Sequence, residues 1–158
     1  RKIDKLYYKM KKFLLVLIIF ISGCGYQSIY SNKNSQSFEF YKIITEGEDS
    51  INRKIINSMA LKEDKTNPIL NEILLSNFYK IDETSKDKKG QIKSYRSSIL
   101  VNLTISKNNN IIKNKKFSEE FTYNNKENKF ELVEYQANIK DDLINKIIED
   151  VILFLNIQ

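Results

Sequence analysis

An alternation of apolar and polar side chains between residues 95 and 106 constrains the fold of this chain more than any other feature. The odd-numbered positions are mostly apolar and the even-numbered positions are mostly polar. A period of two with one apolar side is typical of a half-buried strand in an antiparallel sheet. Three asparagines at 108–110 predict a hairpin turn, since asparagine tolerates positive φ. We expect the returning strand to turn four side chains inward: Ile111, Phe117, Phe121 and Tyr123.

The end of the chain carries apolar residues at spacings of three and four, which predict an amphipathic helix. The stripe consists of Leu132, Tyr135, Ile139, Leu143, Ile147, Val151 and Leu155, and it is widened by Ile144, Ile148 and Ile152. Asn128, followed three residues later by Glu131, resembles a capping box and predicts where the helix begins. A stripe of this width can cover a sheet.

The sequence of the first half of the domain predicts two further strands and a second helix. A strand is expected at residues 38–44, and Asp49 or Ser50 can cap a helix that ends before Pro68. Another strand is expected at residues 73–81, followed by a charged loop that turns at Gly90. The predicted order is β-α-β-β-β-α, an α+β domain at residues 38–158. We expect an antiparallel or mixed four-stranded sheet with two helices packed on one face.

The chain's only cysteine, Cys24, follows closely on its most apolar segment. Residues 13–21 are nine consecutive apolar residues, preceded by Lys11 and Lys12. A transmembrane helix needs about 20 apolar residues. This layout predicts a lipoprotein signal peptide at residues 1–23, with Met10 as an alternative true start. Residues 21–24 (Ile-Ser-Gly-Cys) resemble the bacterial lipobox, which implies cleavage before Cys24 and acylation of its sulfur and its new amine. Residues 24–37 then form a lipidated tether. The alternative is an uncleaved anchor with an incidental cysteine.

Charge and composition exclude several classes of function. The segment before Cys24 carries six basic residues and one acidic residue, so the remaining chain keeps only about +1 of the +6 net charge. We therefore expect no nucleic-acid partner. The absence of histidine, together with a single cysteine, excludes His/Cys metal sites and Ser/His or Cys/His nucleophiles. We expect no enzyme and no cofactor beyond the covalent lipid on Cys24, although a catalytic carboxylate pair stays open as an alternative.

Residues 24–30 (Cys-Gly-Tyr-Gln-Ser-Ile-Tyr) resemble the mature N-terminus of the lipopolysaccharide (LPS)-assembly lipoprotein family, LptE. Members of that family begin with Cys-Gly-Phe or Cys-Gly-Tyr, and Ser28 stands where they usually have proline. Chain length and the predicted element order are similar as well. The resemblance implies a lipid-anchored protein on the periplasmic face of the outer membrane. It also implies a protein that plugs the LPS translocon barrel, LptD, and binds LPS. Gly25 agrees with this localisation, because aspartate at that position favours inner-membrane retention in well-studied bacteria.

Binding of LPS requires cations for the phosphates of lipid A. The candidates are Lys93 and Arg96 on one predicted strand, with Lys113, Lys115 and Lys116 on its hairpin partner. We expect these five side chains to point away from the core. Each is also compatible with an ordinary solvated position, since exposed lysine is common. The alternative function is a binding or immunity-type periplasmic lipoprotein that caps a different protein partner.

Overall fold

A computed structural model describes residues 37–156 of the chain. Its elements are β1 (Glu39–Phe40), β2 (Lys42–Glu46), α1 (Asp49–Ser58), β3 (Lys62–Glu63), β4 (Glu72–Lys86), β5 (Ile92–Lys107), β6 (Asn110–Asn124) and α2 (Lys129–Asn156). The predicted signal peptide, Cys24 and most of the predicted tether lie outside the described residues. Neither helix in the described part is long and apolar enough to cross a membrane.

The main sheet has four strands in the order β2-β4-β5-β6. β2 runs parallel to β4, whereas β4, β5 and β6 are antiparallel neighbours. Both helices contribute to one hydrophobic core with the same side of this sheet, as Ile51 of α1 and Ile147 of α2 illustrate. The predicted α+β class and mixed sheet are therefore confirmed. The predicted first strand is divided, because the chain bends at Tyr41 and β1 pairs with β3 in a separate two-stranded sheet.

The alternation predicted for β5 is confirmed. Its buried side chains are Ser97, Ile99, Val101, Leu103 and Ile105. The turn that follows has Asn108 at φ 51° and Asn109 at φ 64°, the positive values that asparagine tolerates. In β6, Phe117 and Tyr123 are buried as expected.

Phe121 also lies on the helix side, opposite the buried Ser97, so its predicted direction is confirmed. It is nonetheless 46% exposed, because β6 is the edge strand of the sheet and one of its sides lacks a strand neighbour in the described part of the chain. The inward prediction for Ile111 is wrong. Ile111 is 68% exposed, because the register between β5 and β6 shifts between Ile105 and Ser106. An irregular register changes the direction of the side chains beyond it.

The helix α2 begins as the sequence predicts. The side-chain oxygen of Asn128 accepts hydrogen bonds from the backbone N–H of Phe130 (2.9 Å) and of Glu131 (3.4 Å). The predicted stripe is buried from Ile139 onward. The start of α1 differs, because Glu48 occupies the position before its first turn without a side-chain cap. The Ser50 hydroxyl donates to the Glu48 carboxylate instead of capping the helix.

The charged segment predicted as a loop after Ile81 belongs to β4. The strand continues to Lys86, with Asp82 opposite Arg96 and Glu83 opposite Tyr95. Charged residues are tolerated here because most of these side chains are exposed. The turn follows at Asp87, whose carboxylate accepts hydrogen bonds from the backbone N–H groups of Lys89 and Gln91.

Candidate functional site

The five candidate cations lie on β5 and β6 but do not share one face of the sheet. Arg96 lies opposite Thr122, and Lys116 lies opposite Asn102, on the face that the helices do not cover. Lys113 and Lys115 lie opposite the buried Ile105 and Leu103, so they extend from the helix side of the edge strand. Lys93 is exposed, and it lies on the helix side because it is two residues before Tyr95 on the same strand.

The candidates are also separated along the strands. Arg96 and Asn102, which lies opposite Lys116, are six residues apart on β5, a distance of about 20 Å at the usual rise of a strand. Lys93 and Ile105, which lies opposite Lys113, are twelve residues apart on β5, a distance of about 40 Å. The five cations therefore form two groups: Lys93 with Arg96 near the β4–β5 turn, and the three lysines of β6 near the β5–β6 turn.

The Arg96 side chain already has partners. Its Nε donates to the Thr122 hydroxyl at 3.3 Å, and its guanidinium lies 3.7 Å from the Glu120 carboxylate. An ion pair between exposed side chains contributes little to stability. A phosphate that binds Arg96 nonetheless has to compete with the carboxylate of Glu120.

The lysines of β6 are less neutralised. Lys113 places its Nζ 5.7 Å from the ring centroid of Phe154, a cation–π contact that positions it against α2. Lys115 and Lys116 are exposed, and among residues 37–156 no carboxylate lies within ion-pair distance of either. This group is therefore the better placed of the two to take up an external phosphate.

The uncovered face of the sheet is mostly polar and carries opposite charges close together. Lys80 and Asp82 form an ion pair at 2.6 Å on β4, near the pair of Arg96 with Glu120. Its apolar residues are Ile44, Leu74, Phe78 and Leu100. Phe78 is the most exposed of them, at 60%, and it pairs with Leu100, which pairs with Ser118. An open groove of about 390 Å³ runs beside it. The face can therefore pack against a polar surface, with one aromatic side chain available as an anchor.

A polar chain beneath the helices was not predicted from the sequence. The hydroxyls of Tyr79 and Ser97 are 3.2 Å apart, and those of Ser97 and Tyr123 are also 3.2 Å apart. Ser97 is fully buried, so each of these contacts satisfies a polar group inside the core. Burial raises the pKa of Tyr79, although its hydrogen bond with Ser97 opposes that shift.

Lys140 of α2 connects this chain of hydroxyls to α1. Its Nζ lies 4.9 Å from the ring centroid of Tyr79 and donates to the carboxylate of Glu48. Hydrogen bonds from Lys140 and then from Ser50 lower the pKa of Glu48. The contacts join both helices to the sheet, which gives these residues a structural role. In the part of the chain that the structure describes, no group of three His, Cys, Asp or Glu residues could hold a metal ion.

No protein-family model and no curated protein matches this chain. Solved structures of bacterial lipoproteins are its structural neighbours. Rare lipoprotein B from Shewanella oneidensis is 12% identical, with a TM-score of 0.46 over 72% of this chain and 98% of that one. A minor lipoprotein from Acinetobacter baumannii is 10% identical, with a TM-score of 0.49 over 72% and 89%. An uncharacterized lipoprotein B from Nitrosomonas europaea is 7% identical, with a TM-score of 0.47 over 73% and 81%. Similarity at this level says nothing about what the chain binds.

Proposed function

We propose that this chain is an outer-membrane lipoprotein of the LptE type, anchored on the periplasmic face by lipid on Cys24. It plugs the LPS translocon barrel LptD, aids assembly of that barrel and helps deliver LPS to the outer leaflet. Two sequence features support the anchor and the family: residues 21–24 resemble the lipobox, and residues 24–30 resemble the mature N-terminus of LptE. The α+β fold with both helices on one face of the sheet agrees with what that resemblance implies.

The main structural support for a role as a barrel plug is the uncovered face of the four-stranded sheet. The lumen of a large translocating barrel is polar, so a plug needs a rigid polar surface. Paired charges such as Lys80 with Asp82 suit such a lumen, because they leave little unbalanced charge to desolvate. Phe78, at the centre of the face, supplies one apolar contact.

The lysines of β6 support the binding of LPS. Lysine makes charge-assisted hydrogen bonds to phosphate, and Lys115 and Lys116 have no carboxylate partner among the described residues. Lys93 and Arg96 form a second, separate group of candidates, and Arg96 is partly neutralised by Glu120. The proposal therefore ranks the two groups of cations in a testable order.

The test combines purification of partners with titration of LPS. The lipidated protein is purified from membranes and its partners are identified by mass spectrometry, with a large outer-membrane barrel as the expected result. LPS is then titrated into the wild type at two salt concentrations, since binding through charge weakens as the Debye length falls. Reversal of Lys113, Lys115 and Lys116 to Glu should lower binding more than reversal of Lys93 and Arg96.

Two results would contradict this function. If no barrel copurifies and LPS does not bind at low salt, the proposed LptE-type function is refuted. A different periplasmic protein recovered in stoichiometric amount would then favour the binding or immunity-type lipoprotein. Equal losses of binding from both groups of reversals would contradict the ranking alone.

The anchor has its own test. Burial of acyl chains contributes about 0.8 kcal/mol per CH₂, so two or three chains hold a protein firmly at a membrane. Cys24→Ala should prevent acylation and release the protein from the outer-membrane fraction. The intact mass of the mature wild type should show acyl chains on residue 24, whereas a free thiol there would refute the anchor.

A further inference from the structure

We propose that the β5–β6 hairpin tip, defined as residues 107–116, rests on an anionic bilayer surface, the same membrane that holds the lipid of Cys24. This inference rests on the proposed lipid anchor and goes beyond it. The lipid attaches the chain, whereas the tip fixes which end of the domain faces the membrane. The partner is a bilayer surface with phosphate head groups.

The topology places the tip at the end of the sheet where the chain enters the domain. β2 begins at Lys42, which lies beside Glu72, and Glu72 lies beside Ser106 of β5. The turn at Asn108 follows immediately. Ser37, the first described residue, is thirteen positions after Cys24, and a chain of that length spans at most about 45 Å when extended. A membrane that holds Cys24 is therefore within reach of the tip.

Exposed apolar side chains gather at this end of the domain. Ile111 and Ile112 are 68% and 50% exposed, and Ile69, in the loop that leads into β4, is 75% exposed. Leu153, in the last turns of α2, is 61% exposed. The ring centroid of the next residue, Phe154, lies 5.7 Å from the Nζ of Lys113, which places the end of α2 on the tip side. Apolar side chains of this kind can enter the boundary between head groups and acyl chains.

Cations surround these apolar residues and complement an anionic surface. Lys107 begins the tip, and Lys113, Lys115 and Lys116 follow its isoleucines. Basic residues beside exposed apolar ones are attracted to anionic lipid within about a Debye length. The arrangement therefore favours a bilayer surface over an uncharged apolar partner.

The exposed apolar residues at the start of α2 have carboxylates among their sequence neighbours, unlike those of the tip. Phe130 and Val133, in the first turns of α2, are 78% and 65% exposed. Glu127, Glu131 and Glu134 lie among them in sequence and outnumber Lys126 and Lys129, and carboxylates are repelled by anionic lipid. The exposed apolar residues at this end are therefore a matched control for those of the tip.

The test compares one fluorescent label at each end of the mature lipidated protein. Acylation blocks Cys24, the only native cysteine, so Ile112→Cys and Val133→Cys each give a single labelling site. A polarity-sensitive dye at position 112 should shift to shorter wavelength in vesicles that contain phosphatidylglycerol, and less in vesicles of phosphatidylcholine alone. The same dye at position 133 should not respond. Replacing Lys113, Lys115 and Lys116 by Gln should abolish the difference between the two lipids.

Each other outcome overturns one defined part. An acylated protein whose label at 112 does not respond, or responds only as much as that at 133, refutes the contact of the tip. A response to LPS micelles without one to vesicles assigns the tip to a free ligand and also refutes it. A free thiol at Cys24, read by intact mass, refutes the proposed anchor instead. Ile111→Cys provides a second, independent label should Ile112→Cys lower the unfolding midpoint.

Discussion

The junction between β2 and α1 depends on a glycine, and replacing it should destabilise the domain strongly. Gly47 has φ +90°, and a Cβ built on it would lie 2.1 Å from the backbone oxygen of Asn77. The buried Asn77 side chain donates to the carbonyls of Glu46 and Glu48, and it accepts from the N–H of Glu48. Gly47→Ala therefore adds backbone strain and displaces a side chain that makes three hydrogen bonds.

The magnitude follows from these two contributions. An alanine forced to positive φ costs roughly 1–2 kcal/mol. A hydrogen bond contributes about 0.5–1.5 kcal/mol net, so disturbing three of them costs up to about 4 kcal/mol more. We expect Gly47→Ala to lower the free energy of unfolding by roughly 3–6 kcal/mol, against a typical total of about 5–15 kcal/mol.

Gly90 is the matched control. Its φ is +81°, but a Cβ there would have no atom within 4 Å. Gly90→Ala should therefore cost only the backbone strain, roughly 1–2 kcal/mol. Urea denaturation followed by circular dichroism measures both variants. In thermal melts each kcal/mol should lower the midpoint by roughly 4 °C for a domain of this size.

The comparison is decisive because the two glycines have similar positive φ angles and very different surroundings. Equal losses in both variants would show that the approach of Asn77 to Gly47 has no energetic consequence. A loss at Gly47 below that at Gly90 would show that the junction adjusts around a methyl group. Either result would refute the reasoning from the 2.1 Å approach.

Three further predictions concern the core and its polar contacts. Leu103→Ala and Ile147→Ala remove fully buried side chains and should each lower the free energy of unfolding by about 2–5 kcal/mol. Asn102→Ala, on the uncovered face, should lower it by less than about 1 kcal/mol. Equal losses for all three variants in thermal melts would contradict the assigned faces. Ser97→Ala leaves two tyrosine hydroxyls without their shared partner and should cost about 1–3 kcal/mol in urea denaturation; an unchanged midpoint would contradict this role. The lowered pKa of Glu48 stabilises the fold above pH 4.5, its ordinary value, and this contribution is lost as the pH falls through the lowered pKa. Glu48→Gln should flatten that part of the stability profile by no more than about 1 kcal/mol, because the side chain is 42% exposed; an unchanged profile would contradict this assignment.

The elements that sequence predicted well are those whose pattern reports burial directly. The alternation of β5 and the stripe of α2 each repeat a spacing that only one regular structure satisfies, and both were confirmed. The cap at Asn128 was also predictable, because a side chain and two nearby N–H groups are sufficient for it. Local patterns of this kind need no knowledge of distant segments.

Features that depend on distant segments were not predictable in the same way. The break at Tyr41 follows from the pairing of β1 with β3, which lies on the other side of α1. The exposure of Phe121 depends on its place in an edge strand, which the parity of residue numbers does not report. The contact of Ser97 with two tyrosines from neighbouring strands requires the register of the whole sheet.

The division of the candidate cations was in part readable from the sequence. Lys93 and Arg96 are three residues apart on one strand, and Lys115 and Lys116 are adjacent, so alternation sends each pair to opposite faces. What alternation does not give is the neutralisation of Arg96 by Glu120 or the contact of Lys113 with Phe154. Those contacts set the order in which the two groups are expected to matter.

The separation of the two groups also constrains how one ligand could be held. The groups are about 20–40 Å apart along the strands, beyond the Debye length of about 8 Å at physiological ionic strength. A phosphate bound at Lys116 therefore gains almost nothing from the charge of Arg96 across solvent. If both groups bind LPS, charge reversals in the two groups should have additive effects on the free energy of binding, as expected for distant sites. Strong non-additivity would require that the domain bring the two groups together, which the continuous ladder between β5 and β6 opposes.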